Sequence, residues 1–163
     1  MFKTNFKIGN SNFIKSKLGF GCWGLGGGTK VAPSYGRISA KKAIKTIENA
    51  LTRNINFFDT SPAYGISEKI LGKVLKRKKR DEIFLASKCG ISEFSEKKNF
   101  NSDFLIKQLD KSLNDLETDY LDLIQLHNPE EQILRNLDFI QSFIEEKKKR
   151  KNKSLWIVFK KAF

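Results

Sequence analysis

Four side chains able to move or hold a proton stand at ordered places in this sequence. Asp59 closes the apolar run Ile55–Phe58, Lys88 closes Ile83–Ser87, and His127, the only histidine in the chain, closes Tyr120–Leu126. Tyr64 follows Asp59 in the next loop. A phenol, an imidazole, an amine and a carboxylate together are equipment for general acid–base chemistry. One group hands a proton to a reacting oxygen while charged neighbours hold it in the right state. Each residue alone has a plainer role. Asp59 could start a loop or cap a helix, Tyr64 could be a rim aromatic, and Lys88 a solvated lysine. His127 could be a hydrogen-bonded structural histidine. A carboxylate, a lysine and a histidine at three successive strand ends are much harder to assign to chance.

The elements that must position these groups alternate. A β-hairpin is expected first, with strands around Phe6–Ile8 and Phe13–Lys15 and a turn at Gly9-Asn10-Ser11. A strand at Lys17–Gly21 then runs into the loop 22–28. Ser39 is placed to cap a helix whose apolar residues Ala43, Ile44, Ile47, Ala50 and Leu51 recur at helical spacing. Asn54, a residue that tolerates the left-handed conformation, would end it. Strand Ile55–Phe58, a helix from near Ser67, strand Ile83–Ser87 and a helix over about Ser102–Leu116 follow. Strand Tyr120–Leu126 and a helix carrying Ile133, Leu134, Leu137, Ile140, Phe143 and Ile144 complete the pattern. Four βα units after a hairpin imply a parallel sheet with helices packed outside it. The strand runs are largely apolar, as strands covered on both faces should be. In a (β/α)₈ barrel the C-terminal ends of the strands share one rim, where active sites are built.

Composition narrows the class. The chain has 163 residues, 39% of them hydrophobic, which suits one domain with a real core. A complete barrel of this kind takes about 250 residues, so half a barrel is expected. Cys22 and Cys89 are the only cysteines and form no CxxC pair, which argues against a disulfide scaffold and a zinc site. The start of the chain lacks an apolar core of signal-peptide length, and no run is long enough to span a bilayer, so a cytoplasmic location is expected. The formal net charge is +13. Much of it lies from Lys147 onward, where eight residues are Lys or Arg and none is acidic. The chain is therefore divided into 1–146, a β/α barrel part, and 147–163, a basic tail.

The runs Asn56–Gly65, Ser67-Glu68, Leu71-Gly72, Ala86-Ser87-Lys88, Ser112-Leu113 and Leu116–His127 resemble the signatures of aldo-keto reductases in wording, order and spacing. The resemblance extends from about Phe6 to Ile144. It implies an NADPH-dependent oxidoreductase that reduces an aldehyde or ketone, a small-molecule carbonyl, to an alcohol. It also implies a catalytic tetrad at Tyr64, Asp59, Lys88 and His127. Tyr64 would be the general acid. A free tyrosine, with a pKa of about 10, is a weak one, so Lys88 would place a positive charge beside it. Asp59 would hold that lysine, and His127 would align the carbonyl by a hydrogen bond. Cys22, Trp23 and Asp59 match positions lining the nicotinamide and substrate pocket. No metal is implied. The run Gly26-Gly27-Gly28 lacks the spacing of a dinucleotide fingerprint.

The family uses four further βα units for the carboxamide, for stacking on the nicotinamide and for the 2′-phosphate. This chain is therefore expected to bind NADPH weakly and to reduce little. Its open sheet edges are expected to favour self-association. Beyond Lys147, A/T-rich codons shifted by one base admit a segment that resembles the family's next turn and strand. A frameshift is the expected origin of the tail. Poor packing is expected there, although Leu155–Phe159 has the composition of a strand. Two other functional classes compete with the enzyme. One is a non-catalytic fragment or binding subunit with a half-barrel fold. The other is nucleic-acid binding through the basic tail. That tail has one aromatic, Trp156, outside the basic cluster and no recognition fold beside it, so a solvated tail is preferred and no nucleic acid is expected. No membrane partner is expected either.

Overall fold

A computed structural model describes residues 5–6, 15–27, 35–92, 97–135, 141–142, 145 and 156–158. Strands β1 (Asn5–Phe6) and β2 (Lys15–Ser16) pair antiparallel, so the expected hairpin is present with its strands moved outward by a residue or more. Its expected turn lies outside the described residues. Five strands then form one parallel sheet in sequential order: β3 (Phe20–Gly21), β4 (Phe57–Asp59), β5 (Phe84–Cys89), β6 (Leu123–Leu126) and β7 (Trp156–Val158). Helices α1 (Ala40–Thr52), α2 (Ser67–Leu75), α3 (Ser102–Asp115) and the short α4 (Glu131–Arg135) connect them.

Local chemistry accounts for these boundaries. Ser39 is extended, and its side chain accepts the Lys42 amide, capping α1. Asn54 ends that segment at φ 59°, the left-handed conformation expected of it. Asn101 caps α3 in the same way through Asp103. Strand β3 is shorter than the expected Lys17–Gly21 because Ser16 and Asn56 take over the backbone. The Ser16 amide donates to Asn56 Oδ1 at 2.8 Å, and the Asn56 amide donates to Ser16 Oγ at 3.2 Å. Strand β6 starts at Leu123 rather than Tyr120 because the Tyr120 carbonyl accepts from Arg80 instead of a neighbouring strand.

Side chains alternate across the sheet, as strand geometry requires. Phe58, Leu85, Cys89, Ile124 and Leu126 join the cluster formed with Ala43, Ile47, Leu71, Leu105 and Leu109 of the helices. Each fully buried aliphatic side chain there contributes about 1.5–3 kcal/mol. The other parity carries Phe57 and Phe84, whose rings meet edge-on at 4.9 Å, and then Asp59, Lys88 and Gln125. Helix α1 packs on α2, α2 on α3 and α3 on β5. A sequential parallel sheet with neighbouring helices packed in the same order is the arrangement of successive βα units.

The expected fourth helix is described at Glu131–Arg135, and Leu137, Ile140, Phe143 and Ile144 lie outside the described side chains. The basic cluster 147–153 also lies outside. Within the tail, Trp156–Val158 pairs parallel with Leu123–Gln125, so the apolar run does form a strand, on the open side of β6. Among the described residues, no helix is long and apolar enough to cross a membrane.

Candidate active site

Asp59 ends β4, and its two carboxylate oxygens are both engaged. Oδ1 accepts from Lys88 Nζ at 2.5 Å, and Oδ2 accepts from Gln125 Nε2 at 3.0 Å. Lys88 also donates to the Thr60 carbonyl at 3.0 Å. The lysine is therefore held by the last residue of β4 and the residue after it, and the carboxylate by partners on β5 and β6. The Lys88 side chain is only 14% exposed, so this charge pair sits in a medium where its geometry is well defined.

Tyr64 enters from the loop after β4. That loop is a tight turn in which the Tyr64 amide donates to the Ser61 carbonyl and Ser67 donates back to the Tyr64 carbonyl. Gly26 and Gly65 let two loops meet backbone to backbone here. A Cβ on Gly26 would lie 1.6 Å from the Tyr64 carbonyl oxygen, and Gly65 stands at φ +61°. Only glycine fits both demands. The Tyr64 ring has Lys88 Nζ over its face, 4.9 Å from the centroid. The imidazole of His127 meets the same ring edge-on, centroids 5.9 Å apart. The structure thus brings all four expected residues into one cluster at the C-terminal ends of adjacent strands.

His127 is buried. Its amide donates to the Cys89 carbonyl, and its Nδ1 lies 3.1 Å from Ser61 Oγ. Burial, reinforced by the Lys88 charge, lowers its pKa to about 4, with Lys98 adding to the shift and Asp59 opposing it. The imidazole is therefore neutral at neutral pH and acts as a hydrogen-bonding group. A midpoint near pH 4 is expected when its ring signals are followed by NMR, against about 6.5 for a free histidine. The native state then binds fewer protons than the unfolded chain between those values. This residue's contribution to stability is complete above pH 6.5 and is lost as pH falls toward 4. A midpoint at or above 6 would show an imidazole that is solvated or paired with a carboxylate instead.

Cys22 lies beside this cluster, and Trp23 follows it in the chain. The Cys22 amide donates to the Asp59 carbonyl at 2.8 Å, and the Cys22 carbonyl accepts from Ser67 Oγ. The Cys22 thiol is fully buried, and burial, followed by the Asp59 charge, pushes its pKa well up. It remains a thiol and packs the floor, and the thiolate needed of a nucleophile is not available. Trp23 is half-buried, edge-on to Tyr35 at 5.1 Å.

Three further residues serve the cluster and were not singled out from the sequence. Gln125 shares the parity of His127, two positions earlier on β6, and a polar residue within the run Leu123–Leu126 is the signal that points to it. Ser61, fully buried, touches His127. Glu68, 2% exposed, accepts from Ser87 Oγ at 2.6 Å and Ser112 Oγ at 3.2 Å, and burial raises its pKa. It ties α2 and α3 to β5 directly behind Lys88. No group of three His, Cys, Asp or Glu side chains able to hold a metal occurs among the described residues.

The parallel β/α sheet thus carries a phenol, a neutral imidazole and a lysine–carboxylate pair at its C-terminal rim. Residues 17–150 match the model of the aldo/keto reductase family. The chain belongs to that family. It is 35% identical over 128 residues to the Bacillus subtilis (strain 168) protein named aldo-keto reductase YhdN, covering 76% of this chain and 37% of that protein. It is 37% identical over 127 residues to the L-galactose dehydrogenase of Arabidopsis thaliana, with the same coverages. It is 32% identical over 135 residues to an NADH-specific methylglyoxal reductase of Escherichia coli (strain K12), covering 74% and 40%. Among solved structures, the aldo-keto reductase AKR11C1 from Bacillus halodurans (holo form) superposes with a TM-score of 0.76 at 30% identity. That match covers 96% of this chain and 50% of the other. The chain spans about two-fifths of the curated relatives and half of that structure.

Proposed function

We propose that this chain carries the proton-donating part of a nicotinamide-dependent reductase site that converts an aldehyde or ketone to an alcohol. The observation that supports this most is the convergence on Tyr64 of two different neighbours, the Lys88 ammonium on its face and the neutral His127 at its edge. The cluster's acids and hydrogen-bond donors fit chemistry in which the reducing equivalent comes from a bound carrier. When bound, a nicotinamide dinucleotide supplies a hydride. Tyr64 donates a proton to the carbonyl oxygen. Lys88, fixed by Asp59, keeps a positive charge beside the phenol, and His127 orients the carbonyl through a hydrogen bond. Asp59, Cys22 and Trp23 are proposed to border the nicotinamide, Cys22 through its backbone and packing.

NADPH is the proposed carrier. The names of relatives include both an NADH-specific methylglyoxal reductase and an NADPH-dependent D-xylose reductase, so both dinucleotides belong in the test. The proposed architecture is the first four βα units of a (β/α)₈ barrel over 1–146, followed by a basic segment 147–163. The proposed setting is the cytoplasm, with a small-molecule carbonyl as substrate and with self-association through sheet edges. The test follows NADPH and NADH oxidation with a panel of simple aldehydes and ketones. It uses the 163-residue chain and a form supplemented with four further βα units. Turnover is expected from the second and little from the first. A supplemented form that binds neither dinucleotide and reduces no carbonyl would favour a binding-subunit role.

A further inference from the structure

We propose that Ser61 is a positioning residue: its hydroxyl donates to Nδ1 of His127 and so holds the imidazole as the Nε2–H tautomer. The case rests on where the hydroxyl proton can go. Ser61 has no exposed surface, so water does not serve it. Two hydrogen bonds reach its Oγ among the described residues. The Ala63 amide donates to it at 3.1 Å, and His127 Nδ1 lies at 3.1 Å. The amide can only donate, which leaves the ring nitrogen as the acceptor for the hydroxyl proton. If Nδ1 carried the proton instead, two donors would point at one oxygen, and the hydroxyl proton would be buried without an acceptor.

The Ser61 hydroxyl is held for this role by its own turn, since the same residue's carbonyl accepts the Tyr64 amide. One turn therefore fixes both the backbone of Tyr64 and the proton placement on His127. The lowered pKa of the ring is consistent with a neutral imidazole, in which one nitrogen must lack a proton. With Nδ1 as the acceptor, Nε2 carries the ring proton, which the proposed function directs at a carbonyl oxygen. This last step rests on the reductase reading above, whereas the tautomer itself does not.

His127 is the chain's only histidine, so a long-range ¹H–¹⁵N spectrum of the ¹⁵N-labelled 163-residue protein at neutral pH reports this ring without ambiguity. Wild type is expected to show an unprotonated Nδ1 and a protonated Nε2. Ser61→Ala is expected to move both nitrogens toward the averaged positions of a tautomer mixture, while Ser61→Thr, which keeps the hydroxyl, holds the wild-type pattern. If Ser61→Ala does not fold, Ser61→Cys, a weaker donor of similar size, should give a smaller shift of the same sign. A protonated Nδ1 in wild type overturns the proposal. So does an unchanged imidazole spectrum in a folded variant lacking the hydroxyl. The expected spectra together with no turnover in any form would remove the reductase reading and leave the positioning role of Ser61 standing.

Discussion

Tyr64→Phe is expected to lower carbonyl reduction by about 10²–10⁴-fold, the usual worth of a positioned general acid. The comparison is made in a form with all eight βα units. Phenylalanine keeps the ring that Lys88 and His127 contact, so the packing seen on its face and edge is retained. The Lys88–Asp59 pair does not depend on the hydroxyl either. What disappears is the O–H that would reach the substrate oxygen. The loss should therefore appear in kcat, while dinucleotide binding, followed by quenching of protein fluorescence, stays within about twofold, well short of the tenfold that 1.4 kcal/mol represents. Equal turnover by the two proteins would remove Tyr64 from the chemistry. A parallel loss of cofactor binding would show that the substitution damages the fold.

The second large effect is expected at the opposite end of the sheet, where Asp122→Ala should cost about 3–5 kcal/mol of stability. Asp122 lies just before β6 with its side chain 8% exposed. Its Oδ2 accepts from Arg80 Nη2 at 2.7 Å and from the Leu85 amide at 2.9 Å. Arg80 is otherwise committed to Thr118 Oγ1 and to the carbonyls of Ile83 and Tyr120, with its guanidinium 3.8 Å from the Tyr120 ring centroid. Removing the carboxylate leaves a largely buried cation without its counter-charge and an amide without its acceptor. Breaking such a pair on one side costs far more than an exposed ion pair is worth. Urea unfolding of the two proteins measures this directly. A difference below about 1 kcal/mol, the range of an ordinary substitution, would mean that water enters the space.

Much of this arrangement was legible in the residues. Helix α1 has a cap at Ser39, a regular apolar stripe and a left-handed stop at Asn54, three local signals that agree. The strand-end placement of Asp59, Lys88 and His127 followed from where apolar runs stop. The limits of β3 and β6 were not legible. They depend on partners distant in sequence, Asn56 bonding Ser16 and Arg80 bonding Tyr120. Gln125 and Ser61 escaped for a related reason. Each sits two positions from a residue that was noticed, on the parity facing the site, but its significance lies in a hydrogen bond to another βα unit. The Asp59–Gln125 and Ser61–His127 bonds each join positions 66 apart. Composition does not reveal which of many polar residues closes such a pair.

That separation sets the order in which the partners leave the ribosome. The Asp59–Lys88 pair joins the first of these strands to the next across 29 residues, while the bonds from Gln125 and His127 wait for β6. Closing longer loops adds only slowly to the entropic cost, so the delay comes from synthesis and from docking the strand. A nascent chain that has emerged only as far as α3 contains both members of the Lys88–Asp59 pair. It lacks the second partner of Asp59 and the imidazole beside Tyr64. Completion of the cluster thus waits for β6, the four-residue strand beside β5.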